Sequence, residues 1–184
     1  MRRVLVTISG LPGSGKTTVA RLVARTLGLE HVYAGNIFRR QAEANGLSLE
    51  EYLQRAEQDS SIDRELDRQM ETRAARGEAV LEGRLAGFMA DRAGIPALKV
   101  FLAASEPVRA ARIRDREGGA AAERLREIQA REASDHRRYL DLYGVDYHDL
   151  ARYDLVMETD RGTPEEIAQA IVERARARFV NDGK

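Results

Sequence analysis

The stretch Val4-Leu5-Val6-Thr7-Ile8-Ser9-Gly10-Leu11-Pro12-Gly13-Ser14-Gly15-Lys16-Thr17-Thr18 decides the fold. Val4 to Ile8 is a β-branched apolar run, the composition of a strand covered on both faces. Gly10 to Gly15 is a turn. From Lys16 onward Val19, Leu22, Val23 and Leu27 recur at helical spacing, and Gly28 closes the helix. The residues Gly10 to Thr17 match G-x-x-x-x-G-K-[ST], the phosphate-binding loop pattern, between a strand and a helix as that pattern requires. Phosphate oxygens need several converging N–H donors and no Cβ in the way, which glycines supply. The following helix turns its positive end toward the anion. Lys16 suits the β- and γ-phosphates, and the Thr17 hydroxyl suits Mg²⁺. A nucleoside triphosphate site is therefore predicted over Gly10, Leu11, Pro12, Gly13, Ser14, Gly15, Lys16 and Thr17. The loop alone leaves the reaction open between a kinase, a GTPase-type switch and an ATPase motor. No Asn-Lys-x-Asp guanine motif occurs, which disfavours the switch.

Outward from this loop, strand and helix patterns alternate. Strands are expected at 31–34, 79–82, 98–102 and 154–157, besides the first. Helices are expected from Gly35 or Asn36 to about Ala44, from Ser48 as N-cap, over Asp59–Arg76 as a solvated charged helix, after Ser105-Glu106-Pro107, and over about Glu123–Tyr143. The last starts at a Thr163-Pro164-Glu165-Glu166 capping box, with Ile167, Ile171, Ala175 and Phe179 on one face. Glu117 to Ala122 reads as a small-residue break. This alternation predicts a single α/β domain over 1–184, a parallel sheet with helices on both faces.

The chain has 184 residues and no cysteine, so disulfides and thiolate metal sites are excluded. Thirty basic residues balance thirty acidic ones, which gives no global electrostatic case for nucleic acid or an anionic membrane. No apolar run approaches the ~20 residues of a membrane span. The start, Met1-Arg2-Arg3 and then five apolar-type residues, does not fit a signal peptide, so a cytoplasmic protein is expected. The basic residues are almost all arginine, with lysine only at Lys16, Lys99 and Lys184. His31, His136 and His148 are dispersed without metal-ligand spacing and are expected to have surface or structural roles.

The third strand ends in Glu82, followed by Gly83 and Arg84. Ligands of open α/β sheets sit at the carboxyl ends of strands. Glu82 is therefore a candidate to hold Mg²⁺ through water beside Thr17. Arg131, Asp135 and Arg138 are spaced to share one helical face.

From the first strand to the fifth, the chain resembles the nucleoside monophosphate kinases, most closely the archaeal-type cytidylate kinases. The stretches that carry this are Ile8 to Ala20, Tyr33-Ala34-Gly35-Asn36-Ile37-Phe38-Arg39, Ile62 to Asp67, Leu81-Glu82-Gly83-Arg84-Leu85-Ala86-Gly87-Phe88, Lys99 to Leu102, Arg138-Tyr139-x-x-x-Tyr143-Gly144-Val145-Asp146 and Tyr153 to Val156. The resemblance implies a P-loop NTPase fold of five parallel strands in the order 2-3-1-4-5. It implies ATP-dependent phosphorylation of CMP or dCMP to CDP or dCDP with Mg²⁺, by a monomer with small-molecule substrates and no nucleic-acid or membrane partner. A kinase for another small acceptor (AMP, shikimate, gluconate) and a nucleotide-gated RNA-associated module stand as alternatives.

By the same resemblance, Arg39, Asn36, Gly83, Arg84 and Asp135 bind the acceptor. Gly10 to Thr18 hold ATP, and Arg112 stacks on its base. Lys16, Arg116, Arg131 and Arg138 act on the transferring phosphoryl group. A bidentate guanidinium suits a phosphate dianion. Asn36 stands where the family usually shows Asp, keeping the acceptor oxygen and losing the charge; Phe88 stands where relatives often carry Trp. Two mobile pieces are implied, a monophosphate-binding region at about 35–75 and a short lid at about 117–138.

Overall fold

The computed structural model describes residues 4–181, so Met1-Arg2-Arg3 and Lys184 lie outside the described residues. Strand β1 (Leu5–Gly10) is buried at all six residues and pairs in parallel with β3 (Ala79–Glu82) and β4 (Leu98–Ala103). β2 (Glu30–Tyr33) and β5 (Leu155–Glu158) form the edges, in the order β2-β3-β1-β4-β5. The order expected from the resemblance is the order observed. Each βαβ crossover covers one face, which is why a parallel sheet is apolar on both.

Alternate residues of β1 feed two cores, as the period of 2 demands. Val6 and Ile8 pack with α1 (Lys16–Leu27) and α8 (Pro164–Asn181) through Val19, Val23, Ile167, Ile171 and Val172. Leu5 and Leu81 pack on the other face with Met70, Met89, Tyr139 and Tyr147. These come from α4 (Ser60–Arg76), α5 (Ala86–Arg92), α7 (Ala121–Tyr143) and the loop after it. A satellite core joins α2 (Ala34–Ala44) to α3 (Leu49–Gln58), with Phe38 and Tyr52 rings 4.9 Å apart.

Local signals mostly hold. Ser48 and Glu51 close a reciprocal capping box on α3, and Thr163 and Glu166 do the same for α8. Four expectations are corrected. α2 starts at Ala34 with Tyr33 as N-cap, so Gly35 and Asn36 lie inside its first turn. Ser105 occupies the N-cap of α6 (Glu106–Glu117), yet its side chain does not cap; its backbone N–H donates to Asp160 Oδ1 at 2.9 Å. α7 begins at Ala121, since alanine is the best helix former, leaving Gly118-Gly119-Ala120 as the break. And α4 is no solvated helix: Ile62, Asp63, Asp67, Met70 and Ala74 are buried.

Candidate active site

The phosphate-binding loop sits at the carboxyl end of β1. At Gly10 (φ 148°) a Cβ would stand 2.4 Å from the Leu102 carbonyl oxygen. At Gly13 (φ 81°) it would stand 2.7 Å from the Arg109 carbonyl oxygen. Both positions exclude a side chain, because the loop is wedged between β4 and α6. Arg109 is almost fully buried there: Nη1 donates to the Pro12 carbonyl at 3.2 Å, Nε donates to the Ala104 carbonyl, and Nη1 pairs with Glu132 of α7. Arg112 Nη1 donates to Thr159 Oγ1 at 2.9 Å, and Thr159 donates in turn to the Ser14 carbonyl at 3.1 Å. Arg109 therefore braces the loop from behind, while Arg112 ties it to Thr159 at the cleft wall.

Lys16 Nζ donates to the Leu11 carbonyl at 2.7 Å. Its place at a loop end predicts a solvated ammonium; the structure instead half-buries Lys16 beside Arg84 and Arg131. Burial first, then those like charges, push its pKa down to about 7 against the pull of Glu82. Thr17 Oγ1 donates to Glu82 Oε1 at 2.6 Å, while His31 Nε2 meets Glu82 Oε2 at 2.8 Å. The Glu82 carboxylate is 1 % exposed. The pairing of Tyr33 and Ile8 with Glu82 across β2-β3-β1 fixes it beside the loop. Thr17 and Glu82 offer hard oxygen donors at one place, which fits Mg²⁺, an ion usually held by one or two protein oxygens plus waters and phosphates.

A cleft of about 540 Å³ opens from this loop. It brings together Pro12 to Thr18, Glu82, Gly83, Arg84 and Arg39 with Arg112 and Arg116 of α6 and Arg131, Asp135 and Arg138 of α7. Three expected site residues are not on its wall. Gly10 is buried behind the loop, Leu11 offers its carbonyl to Lys16 and its side chain to the core, and Asn36 is exposed in the first turn of α2. Arg116 reaches the rim, exposed and paired with its neighbour Glu117.

α7 and α4 meet across the far wall. Arg84 pairs with Asp135 at 2.9 Å, and Arg138 donates from Nη2 to Asp135 at 3.0 Å and from Nε to Asp63 at 2.8 Å. Asp135 therefore serves two arginines in a buried network, whereas helical spacing alone allows an exposed pair. Arg131 Nε is buried with no hydrogen-bond partner among the described residues, and burial together with Arg84 lowers its pKa. Arg39 donates to the Tyr33 hydroxyl at 3.4 Å and lies over that ring. The cleft thus offers Lys16 and Arg131 without an ion-pair partner among the described residues, a geometry complementary to a polyanion.

Three residues of the site escape a reading of the sequence: Arg109, Thr159 and His31. Arg109, Arg112 and Arg116 share the i, i+3, i+7 face of α6, a signal that could have found the first. Nothing local marks Thr159, whereas Asp63 lies in the Ile62 to Asp67 stretch that the resemblance places near the base without assigning it a contact. The three histidines are dispersed in sequence, yet the structure places His31 on Glu82 and brings the His136 and His148 rings within 5.0 Å of each other.

The profile of the cytidylate kinase-like family matches residues 5–161. A cytidylate kinase of Methanopyrus kandleri is 48% identical over 170 residues, covering 89% of this chain and 88% of that protein. One of Pyrococcus horikoshii is 46% identical over 173 residues, covering 94% and 88%. Among solved structures, a gluconokinase from Sinorhizobium meliloti superposes with a TM-score of 0.63 at 18% identity, covering 98% of this chain and 97% of that one. At that identity the likeness concerns the fold alone.

Proposed function

The chain belongs to the cytidylate kinase-like family, and from that premise we propose that it transfers the γ-phosphoryl group of ATP to CMP, and to dCMP, with Mg²⁺. Identity above 40% along most of the chain supports CMP as the acceptor. The observation that carries the site assignment is the single cleft with the phosphate-binding loop at one end and Arg39, Arg84 and Arg138 at the other.

In this reading the loop amides and Lys16 take the ATP phosphates, and Arg112 and Arg116 flank the nucleotide. Thr17, with Glu82 through water, holds Mg²⁺, which when bound neutralises phosphate charge. Arg39 and Arg84 take the acceptor phosphate, beside Gly83 and Asp135. Asn36 is exposed and off the cleft lining, so we assign it no acceptor contact. No general base is needed, because a monophosphate oxygen is already a nucleophile; the residues position it and offset charge. Arg131 and Arg138 lie on α7 beyond the Gly118-Gly119 hinge (φ 78° and 84°), as a short lid would need. Regions 35–75 and 117–138 are the moving parts, and closure excludes water that would compete for the phosphoryl group.

The proposal extends to a cytoplasmic monomer with small-molecule substrates only. A net charge of zero supports the absence of a nucleic-acid partner; no helix among the described residues is long and apolar enough to cross a membrane. The test is a coupled ADP-release assay over CMP, dCMP, UMP, AMP and GMP, compared by kcat/KM, with Mg²⁺ titrated. CMP and dCMP should lead. Turnover that needs RNA, or a preference for AMP, would overturn the reading.

A further inference from the structure

Away from the cleft, the last turns of α7 and the loop after it bring His136, Asp146 and His148 together. Their ligand atoms all lie within 4.8 Å of one another. His136 Nε2 stands 3.2 Å from Asp146 Oδ1, and His148 Nδ1 stands 3.3 Å from the same oxygen. Two ligands bound at about 2.0–2.1 Å to one ion are necessarily about 2.9–3.4 Å apart at tetrahedral to octahedral angles. Both contacts fall in that interval, and the His136 contact doubles as a hydrogen bond in the absence of an ion. The third pair, between the two imidazoles, lies within 4.8 Å.

The surroundings hold the three groups in place. The His148 backbone N–H donates to Asp146 Oδ1 at 2.8 Å, fixing the carboxylate. Tyr147, 1 % exposed, packs its ring 4.2 Å from His148 and 6.1 Å from His136, so both imidazoles rest on a rigid base. The side chains of His136, Asp146 and His148 are 33 %, 49 % and 39 % exposed, which leaves an entry path and room for water ligands.

We propose that His136, Asp146 and His148 form a binding site for one first-row divalent transition ion of the Zn²⁺, Co²⁺ or Ni²⁺ class. Two imidazoles and one carboxylate, with open positions for water, suit those ions; Mg²⁺ and Ca²⁺ want oxygen. The ion ties the 146–148 turn to α7 at the residue next to Asp135, and so stiffens the helix that carries the arginine network. This inference does not depend on the acceptor the cleft takes.

The experiment is calorimetric titration of Ni²⁺ into the full, untagged, chelator-stripped chain, alongside His136→Gln, Asp146→Asn, His148→Gln and His31→Gln. The expected result is one equivalent bound by the wild type and by His31→Gln. Each of the other three variants should bind at least about tenfold more weakly, since even an outer-shell partner is worth about 10–100-fold in affinity. Ni²⁺ should raise the melting temperature of the wild type and leave His136→Gln unmoved. The ion-free melts of the variants show whether each has folded, and Asp146→Asn, in an exposed turn, keeps the test open if a histidine variant has not. Absence of binding at about 100 micromolar ion, or binding unaltered in all three site variants, overturns the site.

Discussion

Arg138 on α7 donates to the Asp63 carboxylate on α4 at 2.8 Å, across 75 positions of sequence, and the same guanidinium reaches Asp135. Asp63 and Asp135 are only 3 % and 2 % exposed, and burial raises the Asp63 pKa even against Arg138. Arg138→Ala would therefore leave buried carboxylates short of a cation and should lose about 3–5 kcal/mol. An exposed helical pair would lose under about 1 kcal/mol. Urea unfolding of the variant separates the two, and a near-native midpoint would discredit the network.

Arg131 is the cleaner kinetic probe of α7, since its Nε has no hydrogen-bond partner to lose. If it meets only the charge that develops during transfer, Arg131→Ala lowers kcat and kcat/KM by similar factors and leaves both KM values nearly unchanged. Its melting temperature stays within a degree or two of the wild type. A rise in KM for ATP with unchanged kcat would make it a ground-state ligand instead.

Lys16→Ala should lower kcat by about 10²–10³, the usual cost of one preorganised charge-stabilising donor. The fold should not suffer. The ammonium is crowded by Arg84 and Arg131, and its removal relieves repulsion at the expense of one bond to the Leu11 carbonyl. Steady-state kinetics and a melt on the same sample check both halves, and normal turnover would remove the lysine from the site.

Arg39→Ala should act on the acceptor. A charge-assisted bond is worth about 1.5–3 kcal/mol, so KM for CMP should rise about one to two decades, at about tenfold per 1.4 kcal/mol. Because Arg39 is exposed and held only loosely by Tyr33, stability should be unaffected. A larger effect on KM for ATP would mean the two subsites have been exchanged.

Asp67 gives the pH prediction. Burial pushes its carboxyl up to about 7, although the Tyr143 hydroxyl donates to it at 2.7 Å. The unfolded chain ionises this group at about pH 4, so between about pH 4 and 7 the folded state binds the extra proton. Stability must then fall as pH rises through that window, by a few kcal/mol in all, at about 1.36 kcal/mol for each pH unit between the folded and unfolded pKa. Asp67→Asn keeps an acceptor for Tyr143 and should flatten the profile, gaining most above pH 7. Parallel pH profiles for the two proteins would show that Asp67 does not titrate in the fold.

What the residues alone determined is contiguous. The phosphate-binding loop, its strand and its helix lie within 24 positions, Leu5 to Gly28, so spacing and glycine placement were enough. The alternation of apolar strands with amphipathic helices determined the layered sheet, and Arg131, Asp135 and Arg138 were legible as one face of a helix. What faced them was not. Helical spacing says which side chains share a side; only the docking of α7 on α4 gives Asp135 two arginines and Arg138 the distant Asp63. Desolvation is likewise a property of the assembled cleft, which is why Lys16 reads as a solvated phosphate-binding lysine and folds into a crowded, half-buried one. Asn36 shows the converse: a position that the family resemblance places at the acceptor lies exposed in the first turn of α2, off the cleft lining. His136 and His148, twelve positions apart, become ring neighbours only because Gly144 (φ 63°) turns the chain back on α7.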